Sequence, residues 1–429
     1  MSKSQNKPIP SFLKNDYPYK AIGDTITDIN TLEPNKVYEI KCPSCEMSIR
    51  LQGQKLISTY EKLKVSGCLN CKNENLIIRK IDIDIPLENA HKLDKTSKKF
   101  LSIITPVYNT SEYLSICIDS CLHQGMSFDD YEIIFIDDGS LDNSAAILDE
   151  YVSKYPNLTA VHKVNGGVSV ARNIALDLVQ GDYIWFIDSD DFIEKNVLPD
   201  IHKLIQEKNP EKLVVNMYHM KSDYFTKEEE ELYKAKKLVP GKNLICSAIY
   251  HLECINKNKT RFHPELTSNG DLVFSYELRK SLGDYKNVVT FDDPIVYFYR
   301  KNGSSITYTV SSKKLNSSIS LSSIMHNHAL DDQDGFAWYT MVRYIYFSYH
   351  GILTLPKEER KAWLKLMREK DVYPKLISKE GCIYYKDHYQ TMKIKGIPMI
   401  LFKWIPTPIG YAYATMRSMI SKIVQLIRK

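Results

Sequence analysis

The sequence predicts an α/β protein with a mixed, mainly parallel sheet, helices on both of its faces, a small module before it and a helical region after it. Two observations support this fold class. Short apolar runs alternate with helix-length amphipathic segments between residues 100 and 218. Polar residues follow those apolar runs directly, at the strand ends where sheets of this kind bind ligands. The composition, 43% hydrophobic and 25% charged over 429 residues, is that of a globular protein.

Residues 1–95 contain four cysteines in two Cys-x2-Cys pairs, which are Cys42 with Cys45 and Cys68 with Cys71. Each pair lies in a turn-like segment beside a strand-like one. This spacing is typical of a zinc ribbon, in which four thiolates hold one tetrahedral Zn2+ and the metal substitutes for a small core. The alternative is four reduced structural cysteines. Disulfides are not expected, because the N-terminus lacks an apolar secretory segment. We therefore predict a zinc-ribbon-like module that docks a protein partner or supports the next domain.

The next domain is predicted over residues 96–310. Apolar runs predict strands at 100–109, 131–140, 158–164, 182–187 and 212–218, and amphipathic spacing predicts helices at 111–125, 141–155, 168–179 and 271–281. The segment 246–254 is interpreted as a further helix, and residues 287–305 as two strand-like runs. No stretch of 18 uncharged apolar residues occurs, so no membrane-spanning helix is expected.

Four polar segments stand at predicted strand ends. They are Pro106-Val107-Tyr108-Asn109, Asp137-Asp138-Gly139-Ser140, Asn165-Gly166-Gly167 with Ala171-Arg172-Asn173, and Asp188-Ser189-Asp190-Asp191. Carboxylates this close repel one another, so a positive partner is expected beside the last segment. Their oxygens suit Mg2+ or Mn2+ better than Zn2+, and such an ion keeps coordination positions for phosphate oxygens. The sequence therefore predicts a site for a nucleotide diphosphate.

The stretch from Leu101 to about Thr307 resembles a family 2 glycosyltransferase with the GT-A (nucleotide-diphospho-sugar transferase) fold. The motifs that carry the resemblance are "SIITPVYN", "IDDGS", "NGGVSVARN" and "GDYIWFIDSDD". The resemblance implies inverting, Mn2+- or Mg2+-dependent transfer of a sugar from a nucleotide sugar, mostly a UDP-sugar. We expect a glycan or lipid-linked acceptor in bacterial surface polysaccharide synthesis. The alternative is a non-catalytic nucleotide-sugar-binding or scaffold protein of the same pathway.

The resemblance also implies which residues hold the base of the nucleotide. Tyr108 would lie against the base, with the backbone of Pro106 beside it. Asp138 would accept a hydrogen bond from a base N–H, and Asp137 would support the same loop.

At the diphosphate, Gly166 and Gly167 would let the backbone come close, and Arg172 would lie near the phosphates or the donor sugar. Asp188 would be shared between the ribose and the metal ion. Asp190 would bind the metal ion directly.

An inverting transfer also needs a general base for the acceptor hydroxyl. The resemblance places it at Asp271, three residues before Phe274, although Gly270 stands where relatives have a further acid. The alternative for Asp271 is a carboxylate that only stabilises the start of a helix through the helix dipole. Glu265 is the second candidate for the base.

Residues 311–390 are predicted to be helical, and residues 391–429 to form a basic amphipathic tail. Between residues 388 and 429 there is no Asp or Glu but there are seven Lys or Arg. Apolar residues from Ile409 to Ile427 recur at helical spacing, as in helices that lie on anionic membranes. The alternative is a terminal helix docked on the core. The expected location is cytoplasmic, peripheral to the inner face of the cell membrane, and no nucleic-acid partner is expected.

Overall fold

The structure is a computed structural model that describes residues 21–22, 36–45, 47–52, 63, 68–73, 76–84, 99–238, 244–301 and 312–329. The strands are β1 (Ala21–Ile22), β2 (Lys36–Lys41), β3 (Ser48–Gln52), β4 (Ile77–Asp84), β5 (Leu101–Val107), β6 (Tyr131–Asp137), β7 (Leu158–His162), β8 (Tyr183–Phe186), β9 (Phe192–Ile193), β10 (Lys212–His219), β11 (Ala248–His251) and β12 (Val288–Tyr299). The helices are α1 (Ser111–Leu122), α2 (Ser144–Lys154), α3 (Val168–Leu178), α4 (Leu198–Lys208), α5 (Lys227–Lys234), α6 (Leu252–Lys257), α7 (Gly270–Ser281) and α8 (Ser312–Ala329).

The described strands form one sheet in the order β1-β4-β2-β3-β7-β6-β5-β8-β11-β10-β12-β9. Its centre is parallel, because β6 pairs in parallel with β7 and β5, and β5 with β8. β10 and β12 form a further parallel pair. The predicted mixed sheet with helices is therefore confirmed.

The central strands are buried on both faces. Every residue of β6 is buried, and its side chains alternate between two hydrophobic clusters. Ile133 and Phe135 pack with residues of α1, α2 and α4, whereas Ile134 and Ile136 pack with residues of α3. Helices cover both faces of a parallel sheet in this arrangement, so its strands are continuously apolar in sequence.

The cysteine-containing segment extends this sheet. β3 pairs antiparallel with β7, with Ser48 opposite His162 and Arg50 opposite Ala160. β2 and β4 continue the sheet beyond β3. The strands of this segment therefore share a sheet with the domain that follows.

The chain divides into two compact units. The first comprises Met1–Phe262 and Phe274–Asn302, and the second His263–Val273 and Gly303–Lys429. The four-part division at residues 95, 310 and 390 stays a prediction. The helical region beyond residue 329 and the tail 391–429 lie outside the described residues. Among the described helices, none combines the length and apolar content that a membrane-crossing helix needs.

Two predictions of secondary structure are wrong. The two strand-like runs predicted for residues 287–305 are one strand, β12 (Val288–Tyr299), whose pairing with β10 shifts register near Asn216. Residues 246–254 contain a 3-10 turn, the strand β11 and the start of α6 instead of one helix. β11 lies antiparallel between β8 and β10, with Ile249 opposite both Trp185 and Leu213. A short apolar run in a sheet centre cannot be distinguished from a buried helix by periodicity alone.

Candidate functional site

The loops that follow β5, β6 and β8 are tied together at the carboxyl end of the sheet. The Asn109 amide donates to Ser140 Oγ at 3.0 Å, and the Leu141 amide donates back to Asn109 Oδ1 at 2.7 Å. The hydroxyl of Thr110 donates to Ser189 Oγ at 3.0 Å. The first two predicted strand-end segments are thus bonded to each other directly, and the last is bonded to Thr110, the residue that follows the first.

Tyr108 presents an aromatic side chain at this edge. It is 45% exposed, although it adjoins the buried strand β5. Asn109 has a φ of 53° and accepts the Leu141 amide, which fixes the backbone just after the ring. Pro106 lies within β5, opposite Ile136. An exposed ring on a fixed loop offers a face on which a base can stack.

Asp137 is buried and holds the turn after β6. Its Oδ1 accepts the Ser140 amide at 2.9 Å, and its Oδ2 lies 3.0 Å from Nδ1 of His162. Burial alone would raise the pKa of Asp137, but the hydrogen bonds and charge of His162 and the bond from Ser140 outweigh it and lower the pKa.

Asp138 anchors the glycine turn. Its Oδ1 accepts the Gly166 amide at 2.8 Å and Lys163 Nζ at 2.5 Å, and its Oδ2 accepts the Gly167 amide at 2.7 Å. Each carboxylate oxygen has two lone pairs, so Oδ2 keeps capacity for a further donor. The remaining strand-end segment is therefore joined to the site through Asp138.

Gly139 is required where these two loops meet. Its φ is +75°, and a Cβ there would lie 2.9 Å from the Asn165 nitrogen and 3.0 Å from the Lys163 carbonyl oxygen. Both contacts are with backbone, which cannot rotate away as a side chain can. Gly167, at φ 95°, precedes α3 in a conformation that also favours glycine.

Arg172 on α3 supplies the positive charge expected beside the three aspartates. Its Nη2 donates to Asp188 Oδ1 at 2.8 Å. The buried guanidinium lies over the rings of Phe186 and Phe262, at 5.9 and 5.3 Å from their centroids. Asn173 holds Phe262 in place through two hydrogen bonds of 2.8 Å to its backbone. A guanidinium that packs against two aromatic rings and donates to a carboxylate keeps a fixed orientation.

The three aspartates after β8 differ in exposure. The side chain of Asp188 is 33% exposed and Asp190 is half-buried, whereas Asp191 is 1% exposed. Asp191 accepts the Tyr297 hydroxyl at 2.6 Å and the Arg300 amide at 2.8 Å. Burial and the neighbouring aspartates raise its pKa. Asp188 and Asp190 are therefore the accessible carboxylates, and two such groups suit a divalent cation that a diphosphate completes.

The four cysteines of the N-terminal segment converge. Their sulfur atoms all lie within 4.8 Å of one another, and Cys42–Cys71 and Cys45–Cys68 are each 3.5 Å apart. Sulfurs around a tetrahedral Zn2+ lie about 3.8 Å apart, because each Zn–S bond is about 2.3 Å. The residues fit a zinc ion.

Both cysteine pairs have the same backbone geometry. The Cys42 amide donates to the Met47 carbonyl at 2.9 Å, and the Cys68 amide to the Asn73 carbonyl at 2.8 Å, five residues further along in each case. Two equivalent turns facing one another are the arrangement expected for a ribbon.

The base candidates belong to the second unit. Asp271 lies in the first turn of α7 and its side chain is half-buried. Glu265 is 47% exposed, with Oε1 3.7 Å from Nδ1 of His263. Ser317 of α8 accepts the Ser268 amide at 3.0 Å, which ties α8 to the loop before α7. The base role stays a prediction for both acids.

Four residues of the site were missed from the sequence. His162 is the last residue of β7 and Lys163 follows it, so the same strand-end rule that selected the other segments would have found them. Tyr297, which donates to Asp191, and Arg50, which pairs with Asp149 beside His162, have no such signal, because the pairing of β12 and β3 with distant strands brings them to these partners.

Known proteins are similar to the central part of this chain. The profile described as "Glycosyl transferase family 2" matches residues 102–275. Glycosyltransferase GlyG of Streptococcus pneumoniae is 34% identical over 28% of this chain and 40% of its own length. A poly(ribitol-phosphate) beta-glucosyltransferase of Bacillus spizizenii is 43% identical over 23% of this chain and 16% of its own length. Poly(ribitol-phosphate) beta-N-acetylglucosaminyltransferase TarP of Staphylococcus aureus is 28% identical over 46% of this chain and 63% of its own length.

Each of these matches covers less than two thirds of the relative. Among solved structures, S. aureus TarS 1-349 in complex with UDP-GlcNAc has a TM-score of 0.48 at 20% identity, over 68% of this chain and 90% of that chain. The mixed sheet and the ordered strand-end motifs agree with the matched profile. The chain therefore contains a glycosyltransferase family 2 domain, with the GT-A fold.

Proposed function

We propose that this protein is an inverting, metal-dependent glycosyltransferase that uses a UDP-sugar as donor. The observation that carries the proposal is the convergence of the family 2 motifs at one edge of the sheet. There an exposed aromatic ring, a glycine turn, a fixed arginine and two accessible carboxylates adjoin one another along tied loops. These groups match the base, the diphosphate and the cation of a nucleotide-sugar complex.

Two relatives support the class of donor and acceptor. By name they are a beta-glucosyltransferase and a beta-N-acetylglucosaminyltransferase, both for poly(ribitol-phosphate). UDP-glucose and UDP-N-acetylglucosamine are therefore the first donors to test. The proposed acceptor is a glycan or lipid-linked polymer of bacterial surface polysaccharide synthesis.

At the base end of the site, Tyr108 stacks on the base and the Pro106 backbone lies beside it in our proposal. The free lone pair on Asp138 Oδ2 accepts the base N–H, and Asp137 keeps the turn in place. Gly166 and Gly167 carry no side chains, so in our proposal their backbone can come close to the diphosphate.

At the reacting end, Asp188 and Asp190 are the proposed ligands of Mn2+ or Mg2+. When bound, the cation supplies charge neutralisation for the leaving diphosphate. Arg172 adds a fixed positive charge at the same edge, since Asp188 and two rings hold its orientation. Asp271, with Glu265 as the alternative, is the proposed base that takes the acceptor proton.

The proposal is tested by screening UDP-sugars for Mn2+-dependent release of UDP. We expect Asp190→Asn to lower the rate at least 100-fold, because a neutral amide binds a divalent cation much more weakly than a carboxylate does. Asp200→Asn, on the exposed start of α4, is the matched control and should retain full activity. Equal rates with and without Mn2+ or Mg2+ would contradict the proposal.

The second candidate is a non-catalytic nucleotide-sugar-binding or scaffold protein. Gly270 favours it, because this residue replaces an acid that the resemblance places before Asp271. Tight UDP binding without turnover, over all donors and a broad acceptor panel, would establish it. Zn2+ at the four cysteines, and a protein partner for that module, are proposed with either function.

The basic tail is proposed to hold the protein at the inner, cytoplasmic face of the cell membrane. The support is its sequence, in which seven basic residues and no acid accompany an amphipathic apolar stripe. We expect sedimentation with vesicles of anionic phospholipid and not with neutral vesicles. Replacing Lys422, Arg428 and Lys429 by Gln should abolish this binding. Equal sedimentation with both vesicle types would argue against the proposal.

A further inference from the structure

A chain of buried charged side chains joins the cysteine module to the turn after β6. Its five members come from five different elements. They are Glu39 of β2, Arg50 of β3, Asp149 of α2, His162 of β7 and Asp137 of β6, and none of these side chains is more than 10% exposed. Charged side chains are rarely buried to this extent unless they are paired.

Strand register brings these side chains to one face of the sheet. Glu39 is opposite Arg50, Arg50 is opposite Ala160, and Asp137 is paired with His162. Paired residues, and those two positions apart along a strand, lie on the same face. The buried face of α2 adds Asp149 to this face. Ile49 and Val161, one residue away, pack in the apolar cluster that also contains Cys42 and Cys68.

Each link in the chain is a direct contact. Arg50 Nη2 lies 3.3 Å from Glu39 Oε1, and Arg50 Nη1 pairs with Asp149 Oδ2. Asp149 Oδ1 is 3.1 Å from His162 Nε2, and His162 Nδ1 is 3.0 Å from Asp137 Oδ2. The charges alternate in sign along the five residues, so each buried charge has an opposite neighbour.

This series of contacting side chains continues into the proposed nucleotide site. Asp137 Oδ1 accepts the Ser140 amide at 2.9 Å, and Ser140 Oγ accepts the Asn109 amide at 3.0 Å. Asn109 follows Tyr108, the residue proposed to stack on the base. A continuous path of polar contacts therefore leads from the module to the loop that carries this ring.

The charge of His162 is central to the path. Asp149 on α2 and Asp137 on β6 face its two ring nitrogens, with Arg50 of β3 behind Asp149, while Lys163 is turned to Asp138. Burial lowers the pKa of His162, but the two carboxylates outweigh it and raise the pKa to about 9. At neutral pH both ring nitrogens donate, which is what the two carboxylates require.

We propose that the cysteine module is a positioning element of the nucleotide site, in which Arg50 acts through Asp149 and His162 to hold Asp137 and the loop of Tyr108 in the arrangement that binds nucleotide. This inference deepens the proposed function and depends on it, since UDP is the ligand. Arg50, Asp149 and His162 need not touch UDP themselves. They hold Asp137 and, through it, the loop of Tyr108, whose ring is proposed to contact the base.

The test is UDP binding by isothermal titration calorimetry, in the presence of Mn2+, with the full-length protein. We expect Arg50→Met and Asp149→Asn each to raise the Kd at least tenfold. Lys154→Met is the matched control, because Lys154 lies on the same helix in an exposed pair with Glu150, and its Kd should stay within twofold. Wild-type affinity in both variants would overturn the proposal. If Arg50→Met folds incompletely, the measured number of UDP molecules bound per protein falls below that of the wild type. The Kd of Asp149→Asn, which is nearly isosteric, then decides whether the proposal holds.

The dependence of UDP affinity on pH distinguishes a positioning role of Arg50, Asp149 and His162 from a general loss of structure in the variants. Above neutral pH, wild-type affinity should fall as pH rises through about 9, when His162 loses its proton. Asp149→Asn removes one of its two carboxylate partners, so the fall should begin at least one pH unit lower. Profiles of the same shape for wild type and variant would overturn the proposal.

Hydrogen exchange tests the inference without ligand. The amides of Ser140 and Asn109 should exchange faster in Arg50→Met than in Lys154→Met, and equal rates would overturn the inference. Absence of UDP binding by the wild-type protein, with faster exchange in Arg50→Met, would overturn the proposed function and leave the structural coupling established.

Discussion

Three neighbouring aspartates at the end of β8 have three different environments. Asp188 is paired with Arg172, Asp190 is half-buried, and Asp191 is buried under Tyr297 and the Arg300 amide. A carboxylate that accepts two internal hydrogen bonds fixes the backbone on which its neighbours stand. We therefore propose that Asp191 shapes this loop while the two accessible acids bind the cation.

Gly139 tests whether UDP binding requires the close contact between the loop after β6 and the loop after β7. Gly139→Ala should raise the Kd for UDP and lower the free energy of unfolding by about 1–3 kcal/mol, since it adds backbone strain and a clash with residues 163–165. Calorimetry and urea unfolding measure the two effects.

Gly283→Ala is the matched control for this substitution. Gly283 has a φ of +66°, but nothing lies within 4 Å of an added Cβ. It therefore carries the strain without the clash, and its Kd for UDP should be unchanged. Equal effects of both substitutions on UDP binding would show that the approach of the loops is unimportant.

Among the elements, the sequence predicted the central part well and the edges poorly. β5 to β8 and their helices follow from alternating apolar and amphipathic segments, and the site follows because polar residues stand at the ends of those strands. The role of Asp138 at the glycine turn could not be predicted, because its partners Gly166 and Gly167 come from a loop 28 residues away. β11 was missed because a four-residue apolar run has too little periodicity to identify it.

One hydroxyl group of β12 bonds two residues of the loop that follows β8. Tyr297 of β12 donates to Asp191 at 2.6 Å and accepts the Asp188 amide at 3.1 Å. We expect Tyr297→Phe to lower the free energy of unfolding by about 1–3 kcal/mol, because it leaves a buried carboxylate and an amide without this partner. Urea unfolding measures the change.

Tyr233→Phe provides the comparison for Tyr297→Phe. Tyr233 also donates to a carboxylate, Glu194 at 2.5 Å, but both groups are exposed enough for water to replace the bond. Tyr233→Phe should therefore lower the free energy of unfolding by only about 0–1 kcal/mol. If the two substitutions cost the same, the hydroxyl of Tyr297 does not organise the aspartate loop.

At the scale of the first compact unit, the module and the family 2 domain share a core. Cys42 and Cys68 belong to the same apolar cluster as Val161 of β7 and Ile136 of β6. The opposite face of the same strands carries the buried charges from Glu39 to Asp137. The sequence predicted a small ribbon-like module but not the strand with which it pairs, because nothing in the sequence shows that the edge of β7 is left for β3. We therefore expect metal binding in the module to stabilise the family 2 domain as well, through the apolar contacts on one face of the sheet and the buried charges on the other.

Loss of the metal should consequently weaken nucleotide binding at a distance. Protein purified without added metal should contain about one zinc per chain, measured by mass spectrometry of the metal. Cys71→Ser removes one ligand at an exposed position, so it changes the metal site with little loss of packing. We expect this variant to lose zinc, to exchange amides of β2 and β3 faster, and to bind UDP with Mn2+ at least threefold more weakly. The module loses its fold when the ligands no longer hold the ion, and Arg50 then loses its fixed position.

Cys254→Ser is the control for this experiment. Cys254 is a half-buried thiol on α6 and lies outside the four-cysteine cluster. It should retain zinc content, exchange rates in β2 and β3, and UDP affinity. If Cys71→Ser loses zinc but binds UDP as the wild type does, the metal serves the module alone and the buried charges hold the site without it. If both variants weaken UDP binding equally, the weaker binding results from a general loss of stability and not from loss of zinc, because only Cys71→Ser replaces a proposed metal ligand.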